Sequence, residues 1–191
     1  MKTLKRLHLA ELERIMPTLD TIEQSAIFGG DKFCFNTSGY CYNIIEDDGP
    51  DEIYVDGAKS GYILESGKLN VSGTMTKGKS GTRITGGNKN LFKYLSNNTE
   101  VEWGMSYNDI GENPDGIIDT NYSTGGVEFQ PIEGYDTYIH SHPGGTPTAS
   151  DLDNEIKSTY TGHGRYAEKY NYKKFQIYGR DERGNEFENT I

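Results

Sequence analysis

Two histidines, a serine and an aspartate that could hold and activate a ligand lie close together in the string IHSHPGGTPTASDLD. On a β-strand, residues two apart point to the same side, so His140 and His142 can direct two imidazoles at one point. Ser150 and Asp153 are three residues apart, which places them on one face of the first turn of a helix. The spacing therefore predicts that four chemically useful side chains meet where a strand ends and a helix begins.

The donor set indicates which chemistry is possible there. Two imidazoles and one carboxylate leave one zinc coordination position for water, which is the pattern of a catalytic zinc site, and zinc lowers the pKa of that water to about 7. Without a metal, Ser150 and Asp153 would still fit a helix capping box, and paired histidines can lie on a strand surface. The joint occurrence of all four residues favours a zinc site formed by His140, His142 and Asp153.

The same residues resemble a known family motif. The string HSHP at residues 140–143, followed by Ser150 and Asp153, resembles the JAMM (MPN+) metalloprotease motif of His-x-His, seven residues, Ser, two residues and Asp. The resemblance implies that His140, His142 and Asp153 bind zinc. It also implies that Ser150 supports the tetrahedral intermediate, and that a glutamate on an earlier strand is the general acid and base.

That glutamate is predicted in the segment TEVEWGMSY, where apolar and polar residues alternate as in a half-buried strand. Glu102 lies on its polar side, two residues before Gly104. The family commonly has its glutamate three residues before a glycine, so Glu100, which shares the strand face, stays an alternative to Glu102. The phrase LSNNTEVEWG is also similar to the segment that precedes the site in JAB-like domains of bacterial polymorphic toxins. The likeness covers roughly residues 88–160.

The resemblance implies a zinc-dependent peptidase or isopeptidase that acts on a peptide or protein substrate, as an exported bacterial effector or toxin. Glu102 would deprotonate a zinc-activated water that attacks an amide carbonyl, while Ser150 steadies the oxyanion. The sequence does not choose between peptide and isopeptide bonds. Two alternatives stay open: a catalytically silent MPN-like scaffold that binds a partner, and an exported bacteriocin-like effector without enzymatic activity in which residues 31–87 do the work.

The first thirty residues differ from the rest of the chain. Apolar residues recur at helical spacing from Leu4 to Ile22, and the segment ends in Gly29-Gly30, without the continuous apolar run of a Sec signal. Residues 1–30 resemble the double-glycine leaders that an export transporter peptidase removes after the second glycine. The resemblance implies secretion after cleavage behind Gly30. The alternative is an N-terminal helix with a glycine C-cap.

Composition limits the class of protein. The chain has 191 residues and a net charge of −10, and it shows no basic stripe, which argues against nucleic acid as a partner. No apolar run is long enough to span a membrane. The resemblance implies an α+β fold, with a mixed curved sheet flanked by helices in an MPN-like, cytidine-deaminase-like layering. We expect a β-rich N-terminal region at 31–87 and the metallopeptidase domain at 88–191.

Local patterns predict the elements around the site. The runs IYV, YIL and LNV indicate a β-meander, while TKGKSGTRITGGNK and NDIGENPDGIIDTN are typical of loops. NKNLFKYLSNN predicts a short helix, GYDTYIHSHP a strand, and the chain from Ser150 a helix that Gly162 stops. The C-terminal stretch predicts a hairpin with its turn around Glu182 to Asn185. Cys34 and Cys41 could form a disulfide or lie as free thiols on adjacent strands.

Overall fold

The computed structural model describes residues 30–64, 67–74, 81–127 and 129–191. The predicted leader lies outside the described residues except for Gly30, which is the first residue of a strand. Within the described ranges, every helix is too short or too polar to cross a membrane.

The described chain forms two sheets and three helices of an α+β fold, as predicted. The four-stranded sheet has the order β2-β1-β3-β4, and the seven-stranded sheet has the order β11-β10-β9-β7-β8-β6-β5. The elements in chain order are β1 (Gly30–Phe35), β2 (Cys41–Asp47), β3 (Glu52–Val55), β4 (Tyr62–Ile63), β5 (Asn70–Gly73), β6 (Thr82–Asn88), α1 (Lys89–Asn98), β7 (Gly104–Tyr107), β8 (Asp115–Thr120), β9 (Thr137–His142), α2 (Asp151–Tyr160), α3 (Ala167–Tyr170), β10 (Lys174–Arg180) and β11 (Glu186–Thr190).

The seven-stranded sheet is mixed, because β9 and β10 run parallel whereas its other neighbouring strands are antiparallel. Met105 in β7 lies between Ile118 of β8 and Ile139 of β9 in register, and all three side chains are fully buried. All four residues of β7 are buried, so both faces of this central strand are covered. The mixed sheet confirms the predicted fold class and is consistent with an MPN-like fold.

The predicted helix at NKNLFKYLSNN is confirmed as α1. Its N-cap is Asn88, whose side chain accepts a hydrogen bond from the Leu91 backbone N–H at 2.9 Å. Leu91, Phe92 and Leu95 are completely buried against the sheet. The predicted C-terminal hairpin is also confirmed as β10 and β11, and the backbone N–H of Asp181 closes its turn by donating to the Asn185 carbonyl.

Two predictions of loops are wrong in part, because each loop contains a strand. The end of TKGKSGTRITGGNK forms β6, and the end of NDIGENPDGIIDTN forms β8, and these two strands pair with each other. The glycines of β6 are needed for close packing: a Cβ on Gly87 would lie 2.7 Å from the Ile118 side chain. The local composition of these two segments does not indicate strands, and they form strands because they pair with their neighbours in the sheet.

The predicted meander is correct only for β3 and β4, which pair antiparallel. The next strand, β5, pairs with β6 and so belongs to the seven-stranded sheet. The predicted boundary between residues 87 and 88 falls at the end of β6, and this sheet extends upstream of the boundary to β5. Cys34 and Cys41 are free thiols on the paired strands β1 and β2.

Candidate metal centre

Strand β9 carries His140 and His142 to the edge of a cavity. The two side chains point to the same side of the strand, as predicted, and their Nε2 atoms lie 3.0 Å apart. Between them Ser141 faces the other way, where its hydroxyl accepts from the Trp103 backbone N–H at 2.9 Å and its own N–H donates to the Trp103 carbonyl at 2.8 Å. This pair of bonds fixes the residues around Trp103 beside the two histidines.

Helix α2 supplies the third ligand candidate from its first turn. Ser150 is the N-cap and forms a reciprocal capping box with Asp153. The Asp153 Oδ2 atom accepts from the backbone N–H and from the hydroxyl of Ser150, both at 2.7 Å. The other oxygen, Oδ1, lies 3.1 Å from Nε2 of His140. The predicted helix start at Ser150 is thus confirmed, and one carboxylate both caps the helix and faces the histidines.

A hydrogen bond at Nδ1 fixes the orientation of the His142 ring. Its Nδ1 atom lies 2.8 Å from the carbonyl oxygen of Thr146. A carbonyl only accepts hydrogen bonds, so Nδ1 carries a proton and Nε2 of the neutral ring presents its lone pair to the cavity. Metal-bound histidines commonly have such a partner, which sets the tautomer and the ring direction.

His140, His142 and Asp153 could together hold a metal ion. Each offers one ligand atom, and these atoms all lie within 4.8 Å of one another. The two Nε2 atoms lie 3.0 Å apart, and the nearest Asp153 oxygens lie 3.1 Å from His140 and 3.6 Å from His142. One cation at the ordinary zinc–ligand distances of about 2.0–2.2 Å can therefore contact all three residues. Two imidazoles and a carboxylate form a borderline-hard donor set, which suits zinc and related divalent ions. The geometry and the donor chemistry both fit the predicted ligand set.

The pKa shifts at this group reflect its hydrogen bonds. Burial acts to raise the pKa of the Asp153 carboxyl, but its contacts with His140, His142 and Ser150 outweigh burial and hold the pKa far below its usual range. Burial likewise acts to lower the pKa of His142, whereas its contacts with Asp153 and the Thr146 carbonyl raise it. Asp153 is therefore ionised and available as an anionic ligand across the physiological pH range.

Glu102 lies in the same cavity and is 8% exposed. The segment from Thr120 to Val127 holds this residue at three points. The Glu102 backbone N–H donates to the Ser123 carbonyl at 2.8 Å, its carbonyl accepts from the Thr120 hydroxyl at 2.6 Å, and its Oε2 accepts from the Val127 N–H at 3.0 Å. Burial raises the pKa of the Glu102 carboxyl, and the histidines and the Val127 N–H only partly offset the rise.

The two alternative glutamates occupy different environments. Glu100 is exposed, its backbone N–H donates to the Thr37 carbonyl, and its side chain is not among the described residues that line the cavity. Glu102 lines that cavity. Ser150 is exposed at the cavity wall with its hydroxyl turned to Asp153. The structure thus brings together Glu102, Ser150 and the three ligand candidates, and it leaves Glu100 outside.

The cavity has a volume of about 350 Å³, and one of its walls was not anticipated by sequence reasoning. That wall is apolar and combines residues from distant segments of the chain. The hydrogen bonds between Glu102 and the segment Thr120–Val127 were likewise not anticipated. No sequence motif identifies these residues. Only a prediction of which strands lie side by side in the sheet could have suggested them. The described apolar residues lining the cavity are Val127, Phe129, Tyr138, Ala149, Leu152, Ile156, Phe175 and Ile191.

A family model described as JAB-like toxin 1 matches residues 82–171, a span that runs from β6 through α3 and includes every candidate site residue. No curated protein and no solved structure matches the chain.

Proposed function

We propose that the chain is a zinc-dependent peptidase or isopeptidase that hydrolyses an amide bond, and the match of residues 82–171 to the family model described as JAB-like toxin 1 supports this proposal. The observation that carries the proposal is the convergence of two imidazoles and a carboxylate within 4.8 Å, beside a buried glutamate that lines the same cavity. Catalytic zinc sites have this composition, with three protein ligands and one position for water or substrate.

His140, His142 and Asp153 would hold the zinc ion, which when bound would lower the pKa of a water and polarise a carbonyl. Glu102 would take one proton from the attacking water. It would return that proton to the amine nitrogen as the C–N bond breaks, so that one water yields a carboxylic acid and an amine. The raised pKa of Glu102 suits this double role, since the group must both accept and donate a proton near neutral pH.

Ser150 would support the oxyanion. Its hydroxyl donates to Asp153 at 2.7 Å, and rotation about one bond would redirect it towards the cavity. If that bond is Cβ–Oγ, the oxygen stays in place, so it would still accept from the Asp153 backbone N–H and cap the helix, and the Ser150 N–H would still donate to Asp153. The role of this hydroxyl would be to donate a hydrogen bond where charge develops, which is the usual purpose of an oxyanion donor.

The substrate would be a peptide or protein, and the enzyme would act as an exported bacterial toxin or effector. Residues 1–30 would direct secretion through a transporter peptidase that cuts behind Gly30. The support for export is the leader-like pattern of the N-terminal sequence together with the toxin-family match.

Metal analysis and peptide hydrolysis test this function. Protein purified without chelator should contain about one zinc per chain, and His140→Ala and Asp153→Ala should each lose the metal and the activity. His163→Ala is a matched control, because His163 is exposed and is not among the described cavity residues. Full zinc content in the His140→Ala/Asp153→Ala double variant would contradict the ligand assignment. Zinc binding without hydrolysis would instead favour the scaffold alternative, and toxicity that survives metal loss would favour the non-enzymatic effector.

A further inference from the structure

The cavity is divided into a charged part and an apolar part. The charged side chains that line it, among the described residues, are Glu102, His140, His142 and Asp153, all of which belong to the proposed reaction centre. The remaining wall beside them carries hydroxyls, glycines and apolar side chains. A charged substrate side chain placed against that wall would lose water without gaining an ionic partner, which is costly.

Phe129 belongs to a cluster of aromatic rings in the apolar part of the cavity. Its ring contacts Tyr138 with centroids 4.4 Å apart and Tyr160 at 4.8 Å, and both contacts are edge-to-face. Phe129 is only half-buried, and it also lines the cavity. The wall is therefore preformed and still accessible to a ligand, as binding pockets usually are.

Helix α2 extends this wall with two aliphatic residues. Leu152 and Ile156 are one helical turn apart, both line the cavity, and Asp153 lies between them in sequence. Leu152 is 55% exposed at the cavity mouth, and no residue of α2 is fully buried. An exposed leucine directly beside a ligand candidate leaves apolar surface uncovered where a bound substrate must pass.

Resting on the proposed function, we infer that the preferred substrate carries a bulky apolar side chain, of the leucine, methionine or phenylalanine class, on a residue adjacent to the scissile bond. That side chain binds between Phe129 and the aliphatic residues Leu152 and Ile156. The cavity volume of about 350 Å³ accommodates one large side chain with part of its backbone. Placing this side chain against the wall brings the neighbouring carbonyl towards the ligand group.

Cleavage of a peptide mixture with zinc-loaded full-length protein tests the inference. The mixture is randomised at several positions, and the new termini are identified by mass spectrometry. We expect bulky apolar residues to be enriched on one side of the cleaved bond. Leu152→Gln and Ile156→Gln should each lower kcat/KM for an apolar-residue peptide about tenfold or more. The same variants should change kcat/KM much less for a matched peptide with serine at that position.

Controls keep the outcomes separate. Zinc content should stay at the wild-type level in both variants, and Glu155→Gln, an exposed change on the same helix that is not part of the described cavity lining, should leave the peptide preference unchanged. Leu152 is exposed, so its replacement tests the wall even if Ile156→Gln fails to fold. Hydrolysis without apolar preference, or an unchanged preference in Leu152→Gln, overturns this inference alone. Hydrolysis of no peptide by zinc-loaded wild type overturns the proposed function and the inference with it.

Discussion

Glu102 and Asp153 share one cavity, yet the pKa values of their carboxyl groups are shifted in opposite directions. Burial raises the pKa of Glu102, whereas burial at Asp153 is outweighed by contacts with two histidines and a serine that lower its pKa. Carboxyl groups with such different environments are suited to different tasks: one that exchanges protons near neutral pH, and one that stays ionised and binds a cation. Residue spacing alone does not distinguish these tasks, because the environments of both carboxyl groups depend on tertiary contacts; before the structure, only the family resemblance assigned them.

The role of Glu102 is tested by Glu102→Gln. This residue is not a proposed ligand, so the variant should retain its zinc and unfold at nearly the wild-type temperature. Its kcat should nevertheless fall by the ~10²–10⁴-fold that a positioned general acid and base contributes. Steady-state peptide hydrolysis and metal analysis on the same sample provide the measurement.

Glu100→Gln is the matched control, since Glu100 lies two residues away but is exposed outside the cavity. It should change kcat by less than about twofold, because surface substitutions away from a site have small effects. If Glu100→Gln caused the larger loss, the catalytic glutamate would be assigned to the wrong position. Equal and small losses would indicate that neither carboxylate reaches the reacting water.

At the scale of elements, the site depends on how three segments meet. Strand β9 presents the histidines, helix α2 presents Asp153, and the segment Thr120–Val127, which begins at the last residue of β8, forms hydrogen bonds with Glu102. The first two could be predicted because their spacing is local: His-x-His on a strand and a capping box at a helix start. The third could not, because its bonds to Glu102 join residues 18 and 25 positions apart.

The same contrast explains the errors in the predicted loops. Gly86-Gly87 in β6 and Asp115-Gly116 in β8 have the composition of turns, and both segments form strands because they pair with each other in the sheet. Gly86 adopts a positive φ of 81° at the irregularity between Thr85 and Gly87. Pairing partners of this kind are far apart in the chain, so a local pattern contains little information about them.

The hydrogen bond from the Thr120 hydroxyl to the Glu102 carbonyl predicts that Thr120 is a positioning residue for Glu102. Thr120→Val keeps the side-chain shape but removes the hydroxyl that donates to the buried Glu102 carbonyl, while zinc should remain bound. We expect kcat to fall about tenfold or more because the carboxylate is less well placed, with a smaller change in KM. Stability should also fall by about 1–3 kcal/mol, because a buried carbonyl loses its partner.

Thr120→Ser separates positioning from packing. It restores the hydroxyl but removes a methyl group, so it should recover kcat even if some stability is lost. A kcat that follows stability across both variants, with serine no better than valine, would mean that Thr120 acts only through the fold. Thermal unfolding and kcat and KM values, measured well below the melting temperature, distinguish these cases.

At the scale of the whole molecule, the two sheets share one core. Phe33, Phe35 and Ile53 of the four-stranded sheet belong to the same buried cluster as Met105 of the seven-stranded sheet and Trp103, which directly precedes β7. The rings of Phe35 and Trp103 meet edge to face with centroids 6.2 Å apart. Trp103 is bonded in turn to Ser141 between the two histidines. The four-stranded sheet therefore supports the site through a short chain of packed contacts.

The chain that would remain after leader removal starts at Asp31, the second residue of β1. Gly30 is buried at the beginning of β1, where a Cβ would overlap the carbonyl oxygen of Gly49. The next residue, Asp31, donates its backbone N–H to Oδ1 of Asp51 at 2.9 Å. Asp51 is 4% exposed, and its other oxygen accepts from the Leu69 N–H at 2.6 Å. Cleavage behind Gly30 would convert this amide into an ammonium group facing a buried carboxylate.

This arrangement predicts that processing adds an ion pair between the new N-terminus and Asp51. Asp51→Asn should therefore destabilise a protein that begins at Asp31 by about 1 kcal/mol or more beyond its cost in the full-length chain, since hydrogen bonds between charged groups are the stronger ones. The carboxylate raises the pKa of the folded ammonium, so the added stability is fully present below its unfolded pKa of about 8 and is lost as the pH rises through the folded value. Four proteins are compared by chemical unfolding at neutral and at alkaline pH: the full-length chain and the protein that begins at Asp31, each with and without Asp51→Asn.

A protein that begins at Gly30 is the control, because its terminal amine is one residue before the Asp31 nitrogen that contacts Asp51. If the Asn substitution costs the same in all backgrounds, or if its extra cost persists at alkaline pH, the new N-terminus forms no such pair.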